Sequence, residues 1–223
     1  GLTMALGFSG CQSENQKNQD AYRKIGINSM AEGDYDKAVK SFQKALDTSL
    51  GKIGAEEIDI CYYKAAAQFA KKDYDGAIET YTSLIDYDKE NANAYYLRGS
   101  VYLDTDKKDK AFKDYKNAVK YAGREYEIYE GIYENLTNKG ETEEAKNYLK
   151  KALDIKPKDG ADYAEQGHVY YLLEDYTQAK SSLDRAIDKD DKTALLYLAE
   201  VYNATDQQEQ GQALLESLSL IHI

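Results

Sequence analysis

Apolar positions along this chain recur with the period of an α-helix, and alternating runs rich in Val, Ile and Thr are nearly absent. One kind of helix carries a large residue, a small residue four places on, and usually a second large one. It appears as Tyr95, Gly99 and Tyr102, as Tyr163, Gly167 and Tyr170, and with a serine in third place as Tyr22, Gly26 and Ser29. A second kind follows it, with a bulky residue and then a small one: Phe42 and Ala45, Tyr115 and Ala118, Leu149 and Ala152, Leu183 and Ala186. Residues four apart share a helix face, so the small residue admits a neighbouring helix and the bulky one fills the adjacent hole. The pattern predicts pairs of antiparallel helices, each unable to bury its apolar face alone.

The pairs repeat. Gly33-Asp34-Tyr35-Asp36-Lys37-Ala38 returns as Lys72-Asp73-Tyr74-Asp75-Gly76-Ala77 and as Glu174-Asp175-Tyr176-Thr177-Gln178-Ala179. The steps from Ala77 to Ala111, to Ala145 and to Ala179 are each 34 residues. Between Ala38 and Ala77 the step is 39, and the excess falls in Leu50-Gly51-Lys52-Ile53-Gly54-Ala55, a loop insertion of the kind tolerated between hairpins. A last, degenerate unit fits if Gly211 takes the alanine's place, with Ala199, Tyr202 and Leu215 in register. Pro157 closes the fourth unit.

This order of aromatic, Gly, Tyr, Ala, Phe and Pro resembles the tetratricopeptide repeat family. The resemblance implies an all-α, right-handed α-α superhelix (a solenoid) of about six tetratricopeptide hairpins. Their expected limits are near 19–50, 58–91, 92–125, 126–159, 160–191 and 192–221, an array over 19–221. The tail Leu214-Leu215-Glu216-Ser217-Leu218-Ser219-Leu220-Ile221-His222-Ile223 either completes the last hairpin or forms an apolar end available for self-association.

The chain carries a net charge of −11, which makes nucleic acid a poor partner and a basic protein or peptide a better one. Its 22 tyrosines, against no tryptophan, find a home in the helix-pair positions. Cys11 and Cys61 form neither a disulfide framework nor a metal-ligand spacing; Cys61 reads as a small core residue.

Residues 1–18 read as a truncated lipoprotein signal segment and polar tether. An apolar run ends in Phe8-Ser9-Gly10-Cys11 and gives way to Gln12-Ser13-Glu14-Asn15. Ser9, Gly10 and Cys11 resemble the lipobox of bacterial lipoproteins, with Phe8 where Leu is usual. The resemblance implies cleavage before Cys11, lipidation of Cys11, and a membrane contact made only through that anchor, on the extracytoplasmic side. The alternative is a chance apolar tail on a cytosolic protein.

Chemistry is hard to find. Only His168 and His222 could serve as bases or metal ligands, and neither has a Cys or His partner at ligand spacing. No P-loop, nucleophile elbow or dinucleotide fingerprint occurs. Asp104-Thr105-Asp106-Lys107-Lys108-Asp109 lacks the central glycine of a calcium loop and has Tyr115 where the bidentate Glu should stand; it reads as a hairpin turn. No enzyme, metal or cofactor is expected.

In the tetratricopeptide family the first helices line a concave groove, and the resemblance places groove residues at set positions of each unit. These are Arg23, Ile27 and Met30; Tyr62, Ala66 and Phe69; Tyr96, Ser100 and Leu103; Glu127, Glu130 and Glu134; Glu165, His168 and Tyr171; Glu200 and Asn203. A family subset clamps a C-terminal carboxylate with Lys, Asn and Arg, but here Ile27 stands where Asn should follow Arg23. The set runs from an aromatic end to an acidic end, which suits a peptide or protein segment of basic or aromatic character. The competing reading is that the tyrosines pack between hairpins and the glutamates keep the array soluble. The expected function is an interaction scaffold, with a cytosolic adaptor or an assembly or capture factor for exported proteins as alternatives.

Overall fold

The computed structural model describes residues 13–221. Cys11, on which the lipidation expectation falls, lies outside the described residues. Helix α1 (Glu14–Ala31) pairs with α2 (Tyr35–Asp47), α3 (Ala55–Ala70) with α4 (Tyr74–Tyr87), and α5 (Ala92–Asp104) with α6 (Lys108–Tyr121). Then α7 (Tyr126–Asn138) pairs with α8 (Thr142–Lys151), α9 (Gly160–Leu172) with α10 (Tyr176–Asp188), and α11 (Thr193–Ala204) with α12 (Gln208–Ile221). A 3-10 turn, Ala152–Asp154, follows α8. The described residues contain twelve α-helices and no strand, so the chain is all-α and its helices form six hairpins.

The same backbone device closes all six hairpins. One residue near the end of each first helix adopts a left-handed conformation: Gly33, Lys72, Asp106, Gly140, Glu174 and Asp206. The N–H of the residue after it then donates to a carbonyl five positions back: Asp34 to Ser29, Asp73 to Gln68, Lys107 to Tyr102, Glu141 to Leu136, Asp175 to Tyr170 and Gln207 to Tyr202. This satisfies a carbonyl that the helix end would otherwise leave open. In the Asp-Tyr motif the aspartate is the N-cap of the second helix: the carboxylates of Asp34, Asp73 and Asp175 accept from Lys37, Gly76 and Gln178 N–H. The adjoining tyrosine opens that helix.

The chain forms two compact units, residues 1–114 and 115–223, so α6 contributes to both. In the first, Ala38, Phe42, Ala45, Ile60 and Ala67 make a core against which Tyr22, Ile27, Met30 and Tyr63 pack. In the second, Ala164, Ala179, Leu183, Ala186, Ala194, Leu198 and Val201 do so, with Tyr163, Tyr170 and Leu214 packed against them. The small first-helix residues are contact points. A Cβ on Gly26 would sit 2.5 Å from Phe42 Cε1, and one on Gly167 would sit 2.5 Å from Leu183 Cγ.

A buried polar residue precedes four of the bulky second-helix residues, though not Leu149. Ser41, Thr80, Asp114 and Ser182 are all buried, next to Phe42, Tyr81, Tyr115 and Leu183. The Thr80 hydroxyl donates to Gln68 Oε1 at 2.7 Å and the Ser182 hydroxyl to Gln166 Oε1 at 2.9 Å. Asp114 takes the strongest version: Arg98 Nε and Nη2 each donate to one of its carboxylate oxygens at 2.8 Å, while Arg98 Nη1 donates to Thr82 Oγ1 at 3.1 Å. That pair fastens α4, α5 and α6 together.

Two sequence readings change. Residues 14–18, assigned to a tether, are helical: Ser13 caps α1 by accepting from Gln16 N–H, and buried Gln19 donates to the Ala45 carbonyl at 3.3 Å. Cys61 is a half-buried free thiol rather than a core residue. It lies on a cavity of about 440 Å³ between the end of α2, α4 and the loop before α3, lined also by Leu46, Ile53, Leu84 and Tyr87, so packing around it is incomplete. Burial raises its thiol pKa.

Candidate functional site

In the first unit most of the expected groove residues are occupied within the chain. Arg23 Nε and Nη2 both reach Asp59 Oδ2 on α3 at 2.8 Å, and its guanidinium lies 5.1 Å from the Tyr63 ring. The Tyr62 hydroxyl donates to Asn91 Oδ1 at 2.8 Å, so it joins α3 to the start of α5. Phe69 is 36% exposed, edge-on to Tyr74 at 5.5 Å. Tyr96 is half-buried on α5. Leu103, expected in the groove, is core at 5% exposure, and Ile27 and Met30 pack against the first core cluster. Their side chains turn inward because each apolar group has a neighbouring hairpin to bury it.

The second unit is different. Glu127, Glu134 and Glu200 are exposed, and neither they nor Glu165 pair with a Lys or Arg. Helices α7 and α9 bring Glu130, Glu165 and His168 together. His168 Nδ1 lies 3.0 Å from Glu130 Oε1, and the two side chains are each 20% exposed. His168 stacks on Tyr197 of α11, with ring centroids 4.3 Å apart and planes 10° from parallel; Tyr171 lies 6.2 Å away. A cavity of about 380 Å³ opens beside them, lined by Glu127, Glu130, Glu134, Tyr133, His168 and Leu172.

Electrostatics follow from that crowding. Burial, reinforced by the Glu130 charge, pushes Glu165 up to about 7. Burial lowers His168, but the hydrogen bond and charge of Glu130 outweigh it and leave the imidazole above its usual value. Burial and the surrounding glutamates push Tyr197 up to about 12.

Sequence reasoning named Glu130, Glu165, His168 and Tyr171; it passed over Tyr197, which holds in its unit the groove position that Glu165 holds in the preceding one, and the cavity residues Tyr133 and Leu172. It also sought only Cys or His as partners for His168, whereas the partners are carboxylates, one of them on a neighbouring helix. Arg98 and Asp114 escaped it too. The available signal was a polar residue (Ser41, Thr80, Asp114, Ser182) just before the bulky second-helix position in four of the hairpins. No described helix is long and apolar enough to cross a membrane.

Helical hairpins that present a polar, partly open first-helix face are the building units of protein-binding repeat scaffolds. Tetratricopeptide repeat models match residues 20–49, 92–124 and 134–159, and 165–217; a TPR repeat model matches 65–106. The chain belongs to the tetratricopeptide repeat family, and such folds serve as protein–protein interaction scaffolds that are typically non-catalytic. It is 21% identical over 217 residues to anaphase-promoting complex subunit 3 of Schizosaccharomyces pombe, covering 84% of this chain but only 33% of that subunit. Among solved structures it is similar to a tetratricopeptide repeat protein from Parabacteroides merdae (14% identity, 92% of this chain and 80% of the other, TM-score 0.53). It is likewise similar to pilF of Pseudomonas aeruginosa (16% identity, 94% of each chain, TM-score 0.51). These likenesses show the fold.

Proposed function

We propose that the chain is a non-enzymatic scaffold that holds a basic segment of a partner protein on the first-helix face of its second unit. The observation that carries this reading is the set of exposed carboxylates there, Glu127, Glu134 and Glu200, none paired with a Lys or Arg among the described residues. Unpaired acids beside tyrosine faces attract Lys or Arg side chains, by charge and by stacking of the cation on the ring. Tyr171 and Tyr197 supply the rings. In the first unit Arg23 and Tyr62 already have partners within the chain, which weighs against their being the main contacts. The likeness to a subunit of a multi-protein complex is in keeping with a role in assembly.

The test is fluorescence polarisation with an array of peptides graded in Lys and Arg content, at low and high salt. Basic peptides should bind best, and salt should weaken them. Glu127→Lys with Glu134→Lys should cost at least about tenfold in affinity, in line with loss of contacts to exposed charges in a bound complex. Unchanged affinity in that variant would remove the acidic face from the reading.

Export and anchoring through a lipidated Cys11 belong to the same proposal, supported by the Ser9-Gly10-Cys11 order alone. Intact mass of the protein from its own host is the measurement. Acylated chains beginning at Cys11 support the anchor; an unmodified chain retaining residues 1–10 returns the protein to the cytosol.

A further inference from the structure

His168 is fixed more firmly than a groove residue needs to be. Its ring is held by the near-parallel face of Tyr197 at 4.3 Å, and its Nδ1 points at Glu130 Oε1, 3.0 Å away. One imidazole nitrogen and one carboxylate oxygen from each of Glu130 and Glu165 all lie within 4.8 Å of one another. Metal–ligand bonds of about 2.0–2.2 Å in a tetrahedral site put neighbouring ligand atoms about 3.3 Å apart. The His168–Glu130 pair, at 3.0 Å, already approaches that spacing, and a Glu165 oxygen lies within 4.8 Å of both.

The donor set has a chemistry of its own. An imidazole with two carboxylates suits a borderline transition ion, whereas calcium and magnesium take cages of oxygen alone. Two helices hold the ligands, and the Tyr197 ring stacked on His168 fixes the imidazole plane. The side chains are sheltered yet reachable, at 20% exposure for His168 and Glu130, and the cavity of about 380 Å³ beside them gives an ion a way in.

We propose that Glu130, Glu165 and His168 form a binding site for a divalent transition ion of the zinc class, with the remaining coordination positions open to the groove. Glu127, Glu134 and Glu200 carry the peptide-binding reading, but the site's Glu130 and Glu165 lie on the same face. A bound ion neutralises those two carboxylates and so competes with a cationic side chain of the partner. A fourth ligand from an incoming protein, such as a carboxylate or imidazole, would instead bind through the ion.

Isothermal titration of the untagged, chelator-treated full chain with zinc chloride tests this, with no peptide present. One zinc ion per chain is expected, with magnesium and calcium chlorides giving no comparable binding. Glu165→Gln and His168→Gln should each weaken zinc at least tenfold, while Cys11→Ser, Cys61→Ser and His222→Gln leave it unchanged. Far-UV circular dichroism confirms that each variant is folded, and zinc-induced shifts of the His168 ring protons give a second readout that needs no variant. Absence of zinc binding, or zinc affinity indifferent to both Glu165→Gln and His168→Gln, overturns the proposal and leaves a simple His168–Glu130 ion pair. Because the peptide test rests on Glu127 and Glu134, either result can fail without the other.

Discussion

Asp114→Ala is the perturbation with the largest consequence the structure allows one to calculate. The Asp114 side chain is 3% exposed and that of Arg98 is 17% exposed, so the substitution leaves a guanidinium mostly buried and without its counter-charge. Two charge-assisted hydrogen bonds of 2.8 Å disappear, while the bond to Thr82 stays. Stranding one member of a buried ion pair costs about 3–5 kcal/mol. Arg98 retains some exposure and lies 5.9 Å and 5.8 Å from the Tyr95 and Tyr102 rings, which soften the loss, so the low end of about 3 kcal/mol applies. The pair itself is a different quantity, because both ions were desolvated to make it. Arg98→Met with Asp114→Leu should therefore recover most of the loss and fall within about 1 kcal/mol of the parent. Urea denaturation followed by far-UV circular dichroism and by tyrosine fluorescence is the assay. Two probes are needed because repeat arrays can unfold in stages. A single-variant loss below about 1 kcal/mol, or a double variant no better than Asp114→Ala, would refute the reasoning.

Gly26→Ala should destabilise by about 1–3 kcal/mol in the same denaturation experiment, since its Cβ would meet the fully buried Phe42 ring at 2.5 Å. Glu174→Gly and Lys72→Gly should each stabilise, or at worst be neutral, by up to about 1 kcal/mol, because these residues sit at φ 63° and 67° in turns where glycine is unstrained. An alkaline titration read by tyrosinate absorbance should leave a late fraction. Burial, with Tyr62 nearby, pushes Tyr81 up to about 12, and burial with the Asp162 charge does the same for Tyr126. An acid whose folded pKa is raised favours the folded state below its unfolded value. Stability should therefore hold up to about pH 10 and fall between about pH 10 and 12, by at most about 2–3 kcal/mol for Tyr81. All tyrosines titrating together near pH 10 with no loss of helix would contradict this.

The sequence by itself determined that the chain is a helical repeat. Spacing of large and small residues at four-residue intervals, and alanines returning every 34 residues, are local periodicities that helix geometry turns into packing faces. It also supplied the Asp-Tyr motif, which proved to be the N-cap and first residue of a second helix. What the periodicity could not hold was the partner of each polar side chain. Arg23 meets Asp59 one hairpin away, Arg98 meets Asp114 across a turn, and His168 meets Glu130 from the preceding hairpin. Each choice depends on rotamers and on the distance between neighbouring helices. Tertiary packing likewise decided that Leu103 is core and that Cys61 is only half-buried, since the latter borders an open cavity. A one-dimensional pattern fixes which face a residue occupies; the three-dimensional neighbour fixes whether that face is buried, paired or left open to a ligand.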